Sequence, residues 1–243
     1  MTDLQTAIEN LYMVFGKYTT EGMHYCDCGC INPEDVKKLN SKPLRALEED
    51  DLVRYQGSAL YTWGDIEHYK HYLPRILELY SRKREFALMS LDEIFNKLKY
   101  ANWMEWVDNE VKAIKDYILQ DWIEFVNQDE AEISEIQLAV YNELFELKDL
   151  ISLWDVNNSQ LALKKLVYFF YYYGNNILAG KPALNNPDQK SAFISFIHTN
   201  KLAERLEGEF FTYELIDTDY AGKVSIVLQM IEQQLKADEL SRK

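Results

Sequence analysis

Glycine, proline and basic side chains are all scarce in this chain, and each shortage disfavours a class of protein. Nine glycines and five prolines among 243 residues are about half the usual share, which disfavours a turn-rich all-β fold. The 26 lysines and arginines are outnumbered by 40 acidic residues, which gives a net charge of −14. We therefore expect no nucleic-acid partner, because phosphate recognition requires clustered positive charge.

Long apolar runs and targeting signals are also missing. The most apolar stretch, residues 161–178, is interrupted by two lysines and by Gly174-Asn175-Asn176, whereas a bilayer-spanning helix needs about 20 mostly apolar residues. The N-terminus lacks the basic and apolar segments of a secretory signal. We therefore expect a soluble, cytoplasmic protein with no membrane partner, in which thiols stay reduced.

Familiar enzyme motifs are absent from the sequence. It contains no GxxxxGK[ST] phosphate loop, no GxGxxG dinucleotide turn, no GxSxG nucleophile elbow and no HExxH zinc-protease helix. Four histidines leave few general bases, although aspartate and glutamate can serve. The common enzyme classes are thereby excluded, and whether the chain is an enzyme of another kind is left open.

The sequence does contain apolar periodicity of the helical kind along most of its length. No segment shows the alternation typical of a strand. The pattern predicts an all-α protein of roughly ten helices, whose short connections form antiparallel helical hairpins. A compact bundle or a short α-solenoid-like array would satisfy it, and the lack of a fixed-period repeat favours the bundle. We expect a single domain over residues 1–243, with a possible subregion at residues 1–85.

Capping signals predict where several helices begin. Thr2 and Gln5 have the spacing of a capping box. Asn32 before a proline is typical of an N-cap followed by proline at the first helical position. Asp65 is expected to cap a helix through about residue 72, and Ser90 to open a second capping box.

The remaining helix predictions come from apolar spacing and from prolines. Pro74 should kink or restart the helix after Asp65, because proline cannot donate to the preceding turn. One long helix is predicted over residues 103–128 and the next over residues 133–147. A further helix is expected from about residue 159 to residue 173 or beyond, ending near Gly180, and its six consecutive aromatics should fill a core. Helices are also expected from a start at Asn186-Pro187-Asp188 and over about residues 218–237.

A cysteine cluster at residues 24–30 departs from this helical composition. Three thiols and an imidazole within seven residues supply four donors, the number that a tetrahedral Zn²⁺ takes. A bound zinc would order the loop at residues 20–32. His71 shares a helix face with His68 three positions earlier, so a distant nitrogen ligand is also available. The predicted ligands are Cys26, Cys28, Cys30, His24 and His71.

Two other interpretations of the cluster stay open. The loop can be a set of reduced thiols without any ligand, or thiols packed as small apolar groups. Redox chemistry is disfavoured by the neighbouring acids Asp27 and Glu34, because negative charge raises the pKa of a thiol.

Two strings in the N-terminal third resemble an uncharacterised family of bacterial proteins. They are TWGD at residues 62–65 and HYLPRILEL at residues 71–79, downstream of a cysteine cluster and of the helix start Pro33-Glu34-Asp35. The resemblance covers roughly residues 1–80 and implies a bacterial, cytosolic origin; it implies no activity. Members of the family tend to have two or three cysteines beside a short helix, and the triple alternation here departs from that pattern.

The sequence therefore predicts a helical interaction or scaffold module with a structural zinc site in its N-terminal cysteine loop and an unknown protein partner. The alternative is a metal-dependent enzyme with an open coordination position at the same cluster. Four protein ligands would favour the structural role, and three ligands plus water in a pocket would favour catalysis.

Overall fold

The computed structural model describes residues 2–82, 90–181 and 188–241, and these residues are predominantly helical. They form twelve α-helices and two short 3-10 helices, and within these ranges β-structure is limited to isolated bridges. The predicted all-α fold is confirmed. None of the helices in the described ranges combines the length and the apolar character needed to cross a membrane.

The chain divides into two compact units, Met1–Asp121 and Trp122–Lys243. The expectation of a single domain stays a prediction. The helices that lie in or begin in the first unit are α1 (Asp3–Phe15), α2 (Pro33–Leu39), α3 (Glu49–Ser58), α4 (Ile66–Arg82), α5 (Leu91–Tyr100) and α6 (Asp108–Asn127). The second unit continues with α7 (Glu135–Asn142), α8 (Leu147–Ser152), α9 (Gln160–Leu178), α10 (Gln189–Thr199), α11 (Leu202–Tyr213) and α12 (Thr218–Ser241).

Each unit has its own packed interior. In the first, α1 packs on α4 and α2 on α3, with α3 also against α4. In the second, α12 packs on both α9 and α11, while α10 contacts α8, α9 and α11. The cysteine loop lies wholly in the first unit.

Most of the predicted helix starts are confirmed. The Thr2 and Gln5 side chains form the capping box of α1, and the Asn32 side chain accepts from the Glu34 N–H at 3.0 Å in front of α2. The Asp65 carboxylate accepts from the Glu67 N–H at the start of α4. Helix α5 begins directly after Ser90 as predicted, but the capping box expected there is wrong, since the Ser90 side chain makes no capping hydrogen bond.

Pro74 lies inside α4, and the helix continues through it. Proline removes one backbone donor and crowds the preceding turn, so the sequence predicted a kink or a restart. Burial offsets this cost, because the residues from Tyr72 to Leu77 are all buried. Arg75 is the one charged residue of this stretch, and packing of the other side chains stabilises the helix, which outweighs the single missing hydrogen bond.

The middle of the chain is more interrupted than its apolar spacing predicted. The segment from Trp103 begins as a 3-10 helix, after Asn102 at a φ of 49°, and α6 starts only at Asp108. The single helix expected over 133–147 is two helices, α7 and α8. No glycine or proline marks that break, so periodicity could not separate the two.

The aromatic run in α9 is buried on one face of the helix. Phe169 and Phe170 are buried, and both rings contact Phe193 at centroid distances of 5.8 and 5.5 Å. Tyr172 is 56% exposed, so the core interpretation holds for only part of the run. The helix start predicted at Asn186-Pro187 lies outside the described residues.

Candidate metal centre

The cysteine loop pairs with the segment that precedes α4. The Cys26 N–H donates to the Thr62 carbonyl at 2.8 Å, and the Gly64 N–H donates to the His24 carbonyl at 2.8 Å. Tyr25 and Trp63 stand opposite each other in an antiparallel bridge. This short ladder fixes the backbone that leads into the first thiol.

Side chains support this pairing on both sides of the loop. The Tyr25 ring meets the buried Trp63 ring edge-on, with centroids 6.4 Å apart. After the last thiol, Ile31 is buried, and the Arg54 guanidinium on α3 donates to the Cys30 carbonyl. Protein contacts therefore hold the loop before and after its cysteines.

His68 connects the start of the loop to the N-terminus of α4. The residue is only 6% exposed. Its Nε2 donates to the Glu21 carbonyl at 3.1 Å, and its Nδ1 lies 2.7 Å from the Asp65 carboxylate. Both ring nitrogens are engaged, so His68 is a structural residue of the loop.

Three sulfur atoms meet at the tip of the loop. The Sγ atoms of Cys26, Cys28 and Cys30 all lie within 4.8 Å of one another, and the last two are 2.8 Å apart. The Cys28 N–H also points at the Cys26 sulfur at 3.3 Å. Cys28 is exposed and its two neighbours are partly exposed, so the cluster faces solvent.

Contacts among the thiols shift the pKa values of Cys28 and Cys30. Hydrogen bonds from the thiols of Cys26 and Cys30 lower the pKa of Cys28 from 9.0 to about 7. The pKa of Cys30 is raised, first by its hydrogen bond with Cys28 and then by burial. The sequence predicted raised thiol pKa values from the neighbouring acids; the pKa of Cys28 is instead lowered, by its hydrogen bonds with the other thiols.

The predicted histidine ligands do not join the sulfur group. His24 is exposed, and among the residues that the structure describes the grouped donor atoms are the three sulfurs. His71 donates from Nδ1 to the Tyr18 carbonyl at 2.8 Å and lines a cavity of about 100 Å³ with residues of α1 and α4. Nothing in the structure tests either residue as a ligand, so both stay predictions.

Three thiolates at this spacing have the chemistry of a site for a thiophilic metal ion. Thiolate sulfur selects zinc, monovalent copper and iron–sulfur clusters over hard cations. Tetrahedral zinc takes four donors, and the grouped sulfurs among the described residues supply three. One coordination position is therefore left for a donor outside this group.

Sequence reasoning found the thiols but missed the residues that hold them. Thr62, Arg54 and His68 contact the loop across large separations in the sequence, and no local pattern reveals such pairing. The one usable signal was Asp65, which predicted a helix start but not the pairing of the preceding residues with the cysteine loop.

Comparisons of the chain with protein-family models, with curated proteins and with solved structures found no match. The resemblance to an uncharacterised bacterial family stays a prediction. The function is therefore inferred from the geometry of the cysteine loop.

Proposed function

We propose that this chain is a metal-dependent interaction module, in which Cys26, Cys28 and Cys30 bind one Zn²⁺ as thiolates. The observation that carries the proposal is the meeting of three sulfurs within 4.8 Å of one another on a partly exposed loop. The ion links the ends of the 26–30 turn and so adds its binding free energy to the stability of the loop.

Exposure of the cluster supports an interaction role for the ion. Cys28 is exposed, and Cys26 and Cys30 are partly exposed, so a bound ion has one side towards solvent. A three-thiolate zinc ion keeps a free coordination position. A nitrogen, oxygen or sulfur donor from a partner protein can fill this coordination position. The complex of the two proteins then depends on the metal.

The contacts of the loop also support the binding of a metal ion. The ladder to Thr62 and Gly64 and the Arg54 contact to Cys30 hold the backbone around the turn through protein groups. The ion therefore meets donors that are already close together, which lowers the entropic cost of its binding.

The alternative function is a zinc enzyme whose fourth ligand is water. The specific observation in its favour is the ligand count, since three protein ligands plus water is the composition of catalytic zinc sites. Such an enzyme also needs a concave substrate site beside the ion. A cavity of about 700 Å³ lies in the second unit and is lined by residues of the α7–α8 turn and α10, not by the cysteines.

Elemental analysis tests the metal directly. Tag-free protein purified without chelator is expected to contain about one zinc per chain, and a variant with all three cysteines replaced by serine is expected to contain almost none. Asp27→Ser is the matched control, because it changes an exposed side chain of the same turn and keeps all three thiols. Wild-type protein without metal, or equal metal in the triple variant, would refute the site.

Cobalt substitution tests the open position. Co²⁺ bound by thiolates has d–d bands that respond to its ligands, so added imidazole should shift them if a solvent-facing position is free. A spectrum that imidazole leaves unchanged would indicate four protein ligands and a closed structural site. The interaction role would then be wrong, although the metal site would stand.

A further inference from the structure

We propose that Cys28 and Cys30 form a reversible intramolecular disulfide, so that oxidation of this pair competes with metal binding at the loop. The metal half of this statement rests on the proposed function. The disulfide half does not, because it requires only the two thiols and the turn between them.

The distance between the two sulfurs carries the inference. They lie 2.8 Å apart. A disulfide bond is about 2.05 Å long, whereas two sulfurs on one tetrahedral zinc are about 3.8 Å apart, since each Zn–S bond is about 2.3 Å. The observed separation lies between these values, and the pair needs to move less than about 1 Å to reach either.

The backbone between the two cysteines suits both states. Gly29 has a φ of +82°, in the left-handed region that favours glycine, and a Cβ placed there would meet nothing within 4 Å. The turn at residues 27–30 reverses the chain and brings the flanking thiols to the same side. Cys28 is exposed and Cys30 partly exposed, so a small oxidant can reach the pair.

Cys26 is the thiol left over in this scheme. Its sulfur lies against the Cys28 N–H at 3.3 Å, and the ladder to Thr62 holds its backbone. Oxidation therefore joins Cys28 to Cys30 and leaves Cys26 reduced. The metal ion then has one thiolate ligand in place of three. One thiolate cannot replace the lost ligands, so the ion should leave.

The chemistry balances with a low-molecular-weight disulfide as oxidant. The Cys28 thiolate attacks one sulfur of oxidised glutathione, forms a mixed disulfide and expels one glutathione thiolate. The Cys30 thiolate then attacks the Cys28 sulfur and expels the second. Two electrons pass from the protein to the oxidant, and the two protons lost by the thiols end on the two glutathione molecules. Reduced glutathione reverses both steps.

The experiment begins with full-length, metal-free protein equilibrated in glutathione buffers of stepped redox potential. Intact mass reports the loss of two hydrogen atoms, and peptide mapping after alkylation reports which cysteines are joined. Wild-type protein and Cys26→Ser are expected to form the Cys28–Cys30 disulfide at similar potentials. Cys28→Ser and Cys30→Ser each remove one partner and are expected to stop at mixed disulfides.

Two results would overturn the disulfide. One is a wild-type protein that stays as free thiols or glutathione adducts under the most oxidising buffer. The other is a map that joins Cys26 to either neighbour as the main product.

The competition with metal is measured on the same samples. Zinc added to reduced wild-type protein should bind at about one ion per chain and should fall to near none in the oxidised form. Oxidised protein that keeps its full zinc would refute the competition. If reduced protein binds no zinc but still forms the disulfide, the proposed metal function fails and the redox pair stands, so the two failures are distinguishable.

Discussion

Glu110 shows at the scale of one residue how this chain keeps charge in its interior. The side chain is fully buried. One carboxylate oxygen accepts from the Tyr18 hydroxyl at 2.6 Å and from Lys17 at 2.8 Å, and the other accepts from Lys70 at 2.6 Å. Burial alone raises the pKa of this carboxyl, but hydrogen bonds from the two lysines and the tyrosine outweigh it and lower the pKa.

Glu110→Gln is therefore expected to destabilise the protein by about 3 kcal/mol at pH 7, since it leaves the buried Lys70 ammonium without its counter-charge. Urea unfolding followed by tryptophan fluorescence measures the loss. Glu9→Gln is the matched control, because the Glu9–Arg45 pair is half exposed on both sides and should contribute less than about 1 kcal/mol. Equal losses in the two variants would contradict the role assigned to burial.

The difference in stability between wild-type protein and Glu110→Gln depends on pH, and the sign of that dependence follows from the lowered pKa. A carboxyl whose pKa is lowered in the folded state stabilises the protein above its unfolded pKa of about 4.3, and that stability is lost as the pH falls. The gap between wild-type protein and Glu110→Gln should therefore be constant near pH 7 and shrink below about pH 4. A gap that widens on acidification would show that the folded carboxyl holds its proton more tightly than the unfolded one.

The reactivity of Cys28 is a second prediction at the residue scale. Its pKa of about 7 means that, in metal-free reduced protein, alkylation by iodoacetamide should reach half its maximal rate near pH 7. Cys26→Ala removes the largest cause of the shift and should move the midpoint upwards. Peptide mass spectrometry at several pH values measures the rate at each cysteine. A wild-type midpoint near 9 would contradict the mutual hydrogen bonding of the thiols.

At the scale of elements, the residues just before α4 both begin that helix and position the cysteine loop. Gly64 has a φ of +69°, and a Cβ there would lie 3.0 Å from the Cβ of His68. Its N–H pairs with the His24 carbonyl of the cysteine loop, while the next residue, Asp65, caps the helix. One tight turn thus sets both the helix start and the position of the loop.

Gly64→Ala is expected to destabilise the protein by about 2 kcal/mol, because it adds left-handed strain and crowds His68. Gly57→Ala is the matched control within the same unit. Gly57 lies in α3, and a Cβ there meets nothing within 4 Å, so this change should be neutral or stabilise by up to about 1 kcal/mol. Thermal unfolding measures the stability of both variants. Equal unfolding midpoints would refute the strain at Gly64.

The same element shows what local sequence can and cannot predict. The caps at Thr2, Asn32 and Asp65 were predictable, because a cap depends on residues within one turn. The cysteines were predictable as a cluster for the same reason. The pairing of Cys26 with Thr62 was not, since it joins distant segments through backbone groups that every residue carries. The restart predicted at Pro74 was wrong, because α4 runs without a break through this residue and burial of the surrounding side chains stabilises the helix there.

At the scale of the whole molecule, the net charge of −14 is a property of the composition and does not depend on local packing. Residues 1–100 carry 13 basic and 16 acidic side chains, and residues 101–243 carry 13 and 24. The excess acid therefore lies mostly in the second part, with net charges of −3 and −11. Repulsion among like charges destabilises a compact state.

Salt should consequently stabilise this protein. Raising the ionic strength from 0.01 to 0.15 M shortens the Debye length from about 30 to about 8 Å, so distant repulsions weaken while the close contacts around buried Glu110 persist. We expect Tm of the metal-free, reduced protein to rise by about 2–4 °C over this range, which corresponds to about 1 kcal/mol for a chain of this size.

Scanning calorimetry in sodium chloride measures the shift, and choline chloride at equal ionic strength is the control, since screening does not depend on which cation supplies it. A Tm that falls with salt would mean that surface ion pairs such as Arg45–Glu9 outweigh the net repulsion.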